Sequence, residues 1–414
     1  MKYIILICDG AADWSIESLD NKTIFESSKT PNMDWIATHG KMGLLRTIPE
    51  GMAPGSECGN MSIMGYDPKT DLTGRGPLEA LSAGVSLKEK DIAFRCNLIT
   101  ISEGLIKDYN AGHISTREAK ELIKVLQKEL GGEGIDFFPG VQYRNILRLQ
   151  GDIYSDQIYT TPPHDVLDEP YKNYLPQPKD PNDKIAVSTV RTLKRLIQQS
   201  NDLLKEHKVN RHRKKHGAPV ATHIWPWSGG KKPKIKSFKE KYGLSGSVIS
   251  AVDLIFGLGI AAGLKPIHVK GATGLPDTNY EGKINAAMEE LKKRDFVYLH
   301  IEGIDEMAHT GNPKKKIDAL EKFDKNIIKP IIEAEKNFNN NLVIAVLPDH
   351  YTPCKLRTHS REPVPFAIYN PRKYQDKERK FSEYNGKKGE LGLIENGESF
   401  MKLFLNLDNN EIPT

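Results

Sequence analysis

Three apolar runs, each ending in residues that ligate metals, constrain this chain more than any other feature. Lys2 to Cys8 (KYIILIC) stops at Asp9-Gly10, Phe296 to Ile301 (FVYLHI) leads into Asp305-Glu-Met-Ala-His309, and Leu342 to Leu347 (LVIAVL) leads into Asp349-His350. Apolar runs without alternation mark strands buried on both faces, as in a parallel sheet covered by helices. Side chains that do chemistry in such sheets gather beyond the carboxyl ends of the strands. The expected fold is therefore α/β with a mostly parallel sheet flanked by helices. Asp9, Asp305, His309, Asp349 and His350, with His359 close behind, become candidate ligands. Mixed carboxylate and imidazole donors suit Mn²⁺ or Zn²⁺ better than Ca²⁺. Asp305 and His309, four residues apart, share one face if their segment is helical.

Helical spacing supplies the covering layers. Thr30 reads as an N-cap with Pro31 at the first helical position, Met33, Ile36 and Ala37 facing inward, and Gly40 as the stop. The segment Val248 to Leu264 and the segment Lys314 to Ala334 both read as helices over the sheet. The middle differs, with an amphipathic helix over Thr116 to Leu130, Gly-rich punctuation and a strand-like Tyr143 to Leu149. Residues 108–180 are expected to form a smaller inserted α+β domain that encloses substrate, leaving 1–107 and 181–414 as a discontinuous metal-binding core. The Pro-rich stretch 161–183 marks the exit of the insert.

At 414 residues the chain has room for two or three domains. Lys and Arg number 59 against 54 Asp and Glu, a net +5 that suits a small anionic substrate and is too dispersed to imply nucleic acid. The basic runs Arg211 to Gly217 and Lys231 to Lys241 lack regularly interleaved aromatics, and no nucleic-acid partner is expected. The first apolar run is far too short for a signal segment or a spanning helix, so neither membrane insertion nor secretion is expected. Cys8, Cys58, Cys96 and Cys354 lack CxxC spacing and read as reduced thiols in a cytoplasm.

Ser56, in Pro54-Gly55-Ser56-Glu57-Cys58-Gly59-Asn60, sits on a Gly turn ahead of a helix-like segment. Alone it reads as an N-cap. Beside divalent cations it becomes a candidate nucleophile, because its hydroxyl stands near unpaired N–H groups and the ions lower the cost of its anionic form. Neither GxxxxGK[ST] nor a strand-linked GxGxxG is present.

The ordered motifs DGAADW (9–14), TPNMDWIATHG (30–40), PEGMAPGSECGNMSIMGYDP (49–68), TGRGPLEA (73–80), AFRCN (93–97), DEMAH (305–309), LPDHYTP (347–353) and RTHSREPVPF (357–366) resemble the archaeal-type cofactor-independent phosphoglycerate mutases of the alkaline phosphatase superfamily. The resemblance runs along nearly the whole chain. It implies an alkaline-phosphatase-like core and two divalent ions, Mn²⁺ foremost with Mg²⁺, Zn²⁺ or Co²⁺ as alternatives, and no 2,3-bisphosphoglycerate. By motif, Asp9, Ser56, Asp349 and His350 would hold one ion, and Asp305, His309 and His359 the other. Ser56 would take a phosphoryl group from 3-phosphoglycerate and return it to form 2-phosphoglycerate. Arg75, Arg95, Arg211 and Lys283 are expected at the substrate's phosphate or carboxylate, and His164 with Asp165 at its hydroxyls. Glu57, Glu302 and Glu362 stand where that family more often has Asp, Lys and Asp. TPPHD, HKVNRHR and IWPWSGGKKP also resemble a sister branch proposed to be homoserine kinases, which leaves ATP-dependent transfer as the alternative.

Overall fold

The computed structural model describes residues 1–373 and 375–405, which divide into two compact units. The first is built from Met1–Leu72 and the chain from Ile235 onward. Its sheet runs in the order Lys265–Ile267, Gly246–Ile249, Phe296–Ile301, Lys2–Cys8, Leu342–Leu347, Val364–Tyr369, Lys41–Leu45, Leu393–Ile394. The first five strands are mutually parallel, and Val364–Tyr369 is antiparallel to both its neighbours. The three apolar runs are the adjacent central strands, with Leu6 beside Leu299 on one side and Val346 on the other. Apart from Lys2, every residue in them is buried. At about 1.5–3 kcal/mol per large apolar side chain removed from water, these strands are the centre of the core. Since all three point the same way, Asp9, Asp305 and Asp349 leave the sheet at one edge.

The helix Pro31–His39 begins and ends as the sequence predicts, but Thr30 makes no side-chain cap. Asp324 does that work from a distance, accepting from Met33 N at 2.7 Å and Asn32 N at 3.3 Å. The segment 248–264 is not one helix. Val248 and Ile249 belong to a strand, Ser250 accepts from Val252 N to turn the chain, and the helix is confined to Asp253–Ala261. The all-apolar stretch carried no period that could separate a buried strand from a buried helix. The helical region from Pro313 to Glu335 is as expected, with a π-turn over Asp324–Ile328 just before Pro330, whose missing N–H and ring disfavour a regular ladder there.

The second unit, Thr73–Lys234, extends well beyond the expected 108–180 on both sides. Its antiparallel sheet is organised around the long strand Ile92–Ser102, which pairs with Leu105–Asp108, Arg144–Leu149 and His223–Lys231, while Ile135–Val141 adds to the far side of Arg144–Leu149. The helices Thr116–Leu130 and Lys184–Leu204 bury Leu122, Leu126, Leu193 and Leu196 against Phe94, Cys96, Leu147 and Leu149 of that sheet. Residues 92–102, 184–204 and 223–231 thus share one core with the predicted insert, which is why the boundaries move outward. Among the described residues no helix is long and apolar enough to cross a membrane.

Candidate functional site

The strand Lys2–Cys8 delivers Asp9, and Gly10 makes the turn that follows. Gly10 has φ +60°, its N–H donates to Asp349 Oδ1 at 3.1 Å, and a Cβ there would run into the Asp305 carboxylate and lie 2.7 Å from Thr352 Oγ1. Only glycine lets the three strand ends close on one another. The Asp305 segment is helical as predicted, Gly303–His309, and places His309 Nε2 3.0 Å from Asp305 Oδ2. His359 Nε2 lies 3.5 Å from the same oxygen.

Ser56 opens the helix Ser56–Ile63. Its Oγ is 3.2 Å from His350 Nε2, which also faces Asp9 Oδ1 and Asp349 Oδ2, each at 3.5 Å. Asn60, one turn on, donates to Asp349 Oδ2 at 2.7 Å and to the Ser56 carbonyl at 2.8 Å. All seven ligands expected from sequence therefore converge within the first unit. Three sets of donor atoms each lie within 4.8 Å: Asp305, His309, His359; Asp9, Asp305, His350; and Asp9, His300, Asp349.

Ring orientations are set by neighbours. Thr352 donates its hydroxyl to Asp305 Oδ1 at 2.6 Å, so it must accept from His350 Nδ1 at 3.1 Å, which leaves the His350 Nε2 lone pair facing Ser56 and the carboxylates. His309 gives Nδ1–H to the Arg357 carbonyl at 2.9 Å. Burial, then the charges of Asp349 and Asp305, pushes Asp9 well above the usual carboxylate range. Burial works against ionised Asp305 too, but the hydrogen bond from His309 and the neighbouring imidazoles of His350 and His359 hold it well below its ordinary value. The hydrogen bond to Asp305 raises His309 to about 9, while burial lowers His350 and brings His300 down to about 4.

These residues fit divalent cations. Asp9 Oδ1 and His359 Nε2 are buried without a hydrogen-bond partner, and the carboxylates crowd one another in a way that a cation would relieve. The donors are the mixed oxygen and imidazole type that such ions take.

In the second unit, burial lowers the His164 pKa against the opposing charge of Asp165, whose Oδ1 is 3.6 Å from His164 Nε2, and the charges of Arg95 and Arg75 add to the lowering. Arg95 is nearly buried, pairs with Glu79 at 3.1 Å and lies over Trp227 at 4.9 Å. Arg211 is exposed on the helix Lys208–Lys215, beside His207. Lys283, expected at the substrate, lies in the first unit. It is wholly buried, its Nζ points to the His300 carbonyl at 3.4 Å, and burial lowers it to about 8 against the opposing charge of Glu302.

Sequence reasoning passed over His300, Asn60, Tyr298, Thr352 and Arg144. His300 was visible as the one imidazole inside an otherwise apolar strand. Arg144 lies 5.9 Å over the Tyr143 ring, acts electrostatically on Arg95, and has a buried Nε without a partner, none of which local sequence carries.

Comparison with known proteins agrees with this arrangement. A family model described as 2,3-bisphosphoglycerate-independent phosphoglycerate mutase matches residues 37–210. The protein of that name from Methanosarcina barkeri is 48% identical over 95% of this chain and 97% of its own length. Its Methanocaldococcus jannaschii counterpart is 39% identical over 98% and 97%. Among solved structures, a Pyrococcus horikoshii protein superposes with TM-score 0.81 at 28% identity, covering 99% of this chain and 98% of that one. A cofactor-independent phosphoglycerate mutase from Thermoplasma acidophilum gives 0.67 at 28%, covering 99% and 100%. With this similarity spanning almost its whole length, the chain belongs to the 2,3-bisphosphoglycerate-independent phosphoglycerate mutase family.

Proposed function

We propose that the protein interconverts 3-phosphoglycerate and 2-phosphoglycerate through a phosphoserine at Ser56, beside two divalent ions. The observation that carries this reading is the convergence of Ser56 Oγ on His350 Nε2 at 3.2 Å among the buried carboxylates Asp9 and Asp349. Asp9, Ser56, Asp349 and His350 would hold one ion and Asp305, His309 and His359 the other, with Mn²⁺ best suited to the donors. When bound, such ions neutralise charge on phosphoryl oxygens and favour ionised oxygen nucleophiles.

The chain's own residues account for the rest. Ser56 at the first position of its helix lies among N–H groups with no partner in the helix, so a phosphoryl group there meets the positive end of the helix. Asn60 ties the Ser56 backbone to Asp349 and keeps the nucleophile in register with the carboxylates. For the substrate's charges we carry forward Arg75 and Arg95, add Arg144, and retain Arg211 only as an exposed basic residue; His164 with Asp165 is the pair proposed to move protons at the glycerate hydroxyls. A cytoplasmic location suits a small phosphorylated metabolite.

The kinase alternative is not favoured, the named relatives being mutases. The test supplies 3-phosphoglycerate and Mn²⁺ without nucleotide and follows phosphorus-31 signals. Appearance of 2-phosphoglycerate, and its loss in Ser56→Ala, is the expected result. Full turnover by Ser56→Ala, or transfer only with homoserine and ATP, would overturn the proposal.

A further inference from the structure

Beside the candidate ligands lies a buried ion pair that the proposed reaction does not use. Lys316, wholly buried, sits on the helix Pro313–Phe323 that follows Asp305 and His309. Its Nζ donates to the Ala12 carbonyl at 3.0 Å, to Asp13 Oδ2 at 2.9 Å and to the Thr352 carbonyl at 2.9 Å. All three ammonium protons are thereby used. Asp13 is buried as well, its Oδ1 accepting from Trp14 N at 2.8 Å and its Oδ2 also from Cys354 N at 3.0 Å. Residues 12–14 follow Asp9, and residues 352–354 follow Asp349 and His350. One ammonium therefore joins the loops that leave two neighbouring strands to the helix that follows the third set of ligands.

Thr352 is where this pair reaches the ligands. Its backbone is held on both sides, N–H donating to the Ala12 carbonyl at 3.2 Å and C=O accepting from Lys316. Its Oγ1 in turn donates to Asp305 Oδ1 and accepts from His350 Nδ1. A buried ion pair is a poor device for stability alone, because desolvation offsets much of the attraction and apolar side chains of similar volume often serve as well. A compact ammonium with three acceptors does what an apolar side chain cannot, since it fixes three chain segments at one point. We propose that Lys316 and Asp13 are positioning residues that hold Thr352 so that its hydroxyl orients Asp305 and His350 for divalent ions. This rests on the reading of Asp305 and His350 as metal ligands. Partners that orient ligands in this way typically change metal affinity 10–100-fold when removed.

Calorimetric titration with Mn²⁺, run well below the melting temperature of each metal-free protein, is the test. Wild type is titrated first, and if it takes up no Mn²⁺ the metal reading itself is overturned. Lys316→Met combined with Asp13→Asn removes both charges together, so that neither is left buried alone. Its affinity should fall about tenfold or more. Thr352→Val keeps the shape and removes the hydroxyl; it should lose roughly 10–100-fold, while Thr352→Ser should stay within about threefold of wild type. Because the pair acts through Thr352, adding the two charge-removing changes to Thr352→Val should weaken binding by no more than about threefold further. A pair that only stabilises the fold would lower the melting temperature and leave the affinity of the folded protein where it was. Wild-type affinity in the charge-free variant, or losses that multiply in the triple variant, would overturn the proposal. If the charge-free variant does not fold, Thr352→Val still decides, since undiminished affinity there removes the route by which the pair acts.

Discussion

The Tyr298 hydroxyl donates to Asn60 Oδ1 at 2.6 Å, linking a central strand to the helix that carries Ser56. That bond decides which end of the Asn60 amide is nitrogen where it matters, because it leaves Nδ2 to serve Asp349 and the Ser56 carbonyl. Tyr298→Phe should therefore cost about 1–3 kcal/mol by leaving a buried acceptor unpaired, and lower kcat as the amide loses its preferred orientation. Asn60→Asp should be worse, since it sets a second carboxylate against Asp349. Thermal melts and steady-state kinetics check both; wild-type stability and kcat in Tyr298→Phe would refute the link.

Gly10→Ala is expected to disable the centre without touching a ligand. The left-handed backbone penalises any Cβ by about 1–2 kcal/mol, and the new methyl meets the Asp305 carboxylate. Binding of Mn²⁺ should weaken at least tenfold, measured by titration. An alanine variant with unchanged affinity would mean that the turn has slack which the packing does not suggest.

Much of this was legible in the chain because apolar runs name buried strands and their first polar residues name the strand ends. Lys2–Cys8, Phe296–Ile301 and Leu342–Leu347 needed no tertiary information, and helical spacing placed Asp305 beside His309. What escaped depended on partners distant in sequence. Asp324 caps the helix at Pro31 from almost three hundred residues away, where local rules nominate Thr30. Val248 and Ile249 read as helix because an apolar stretch without period suits either state. Lys283 read as a contact to the substrate's phosphate or carboxylate, and only the fold shows it buried with its Nζ at the His300 carbonyl. Arg95 and His164 come together through pairing in the second unit's own sheet and the chain packed on it, which no spacing encodes.

Metal removal should destabilise the first unit as well as stop turnover. Asp9, Asp305 and Asp349 are buried together, and burial with their mutual charge already drives Asp9 upward. An ion that binds the native state alone adds about 2.7 kcal/mol at a hundredfold excess over its Kd. Chelation should thus lower Tm, and readdition of Mn²⁺ should restore it. A Tm indifferent to chelator would argue that no ion is held by these carboxylates.

Glu383 gives the fold a pH dependence separate from the metal ligands. It is half-buried, accepts from Thr23 Oγ1 at 2.7 Å and Asp13 N at 3.2 Å, and the loss of hydration raises it to about 7 from an ordinary value of 4.5. The native state therefore holds this proton more tightly than the unfolded chain does. Its contribution to stability is complete below pH 4.5, declines as pH rises to about 7, and is level above that, since both states are then ionised. At 1.36 kcal/mol per pKa unit the decline is roughly 3 kcal/mol. Glu383→Gln cannot titrate, so the stability of wild type relative to the variant should fall by about that amount between pH 4.5 and pH 7 and change little above pH 8. Denaturant unfolding of both proteins across this range measures it. A difference that stays flat through the window, or grows with pH, would show that Glu383 is ionised in the native state throughout and that its hydrogen bonds outweigh its burial.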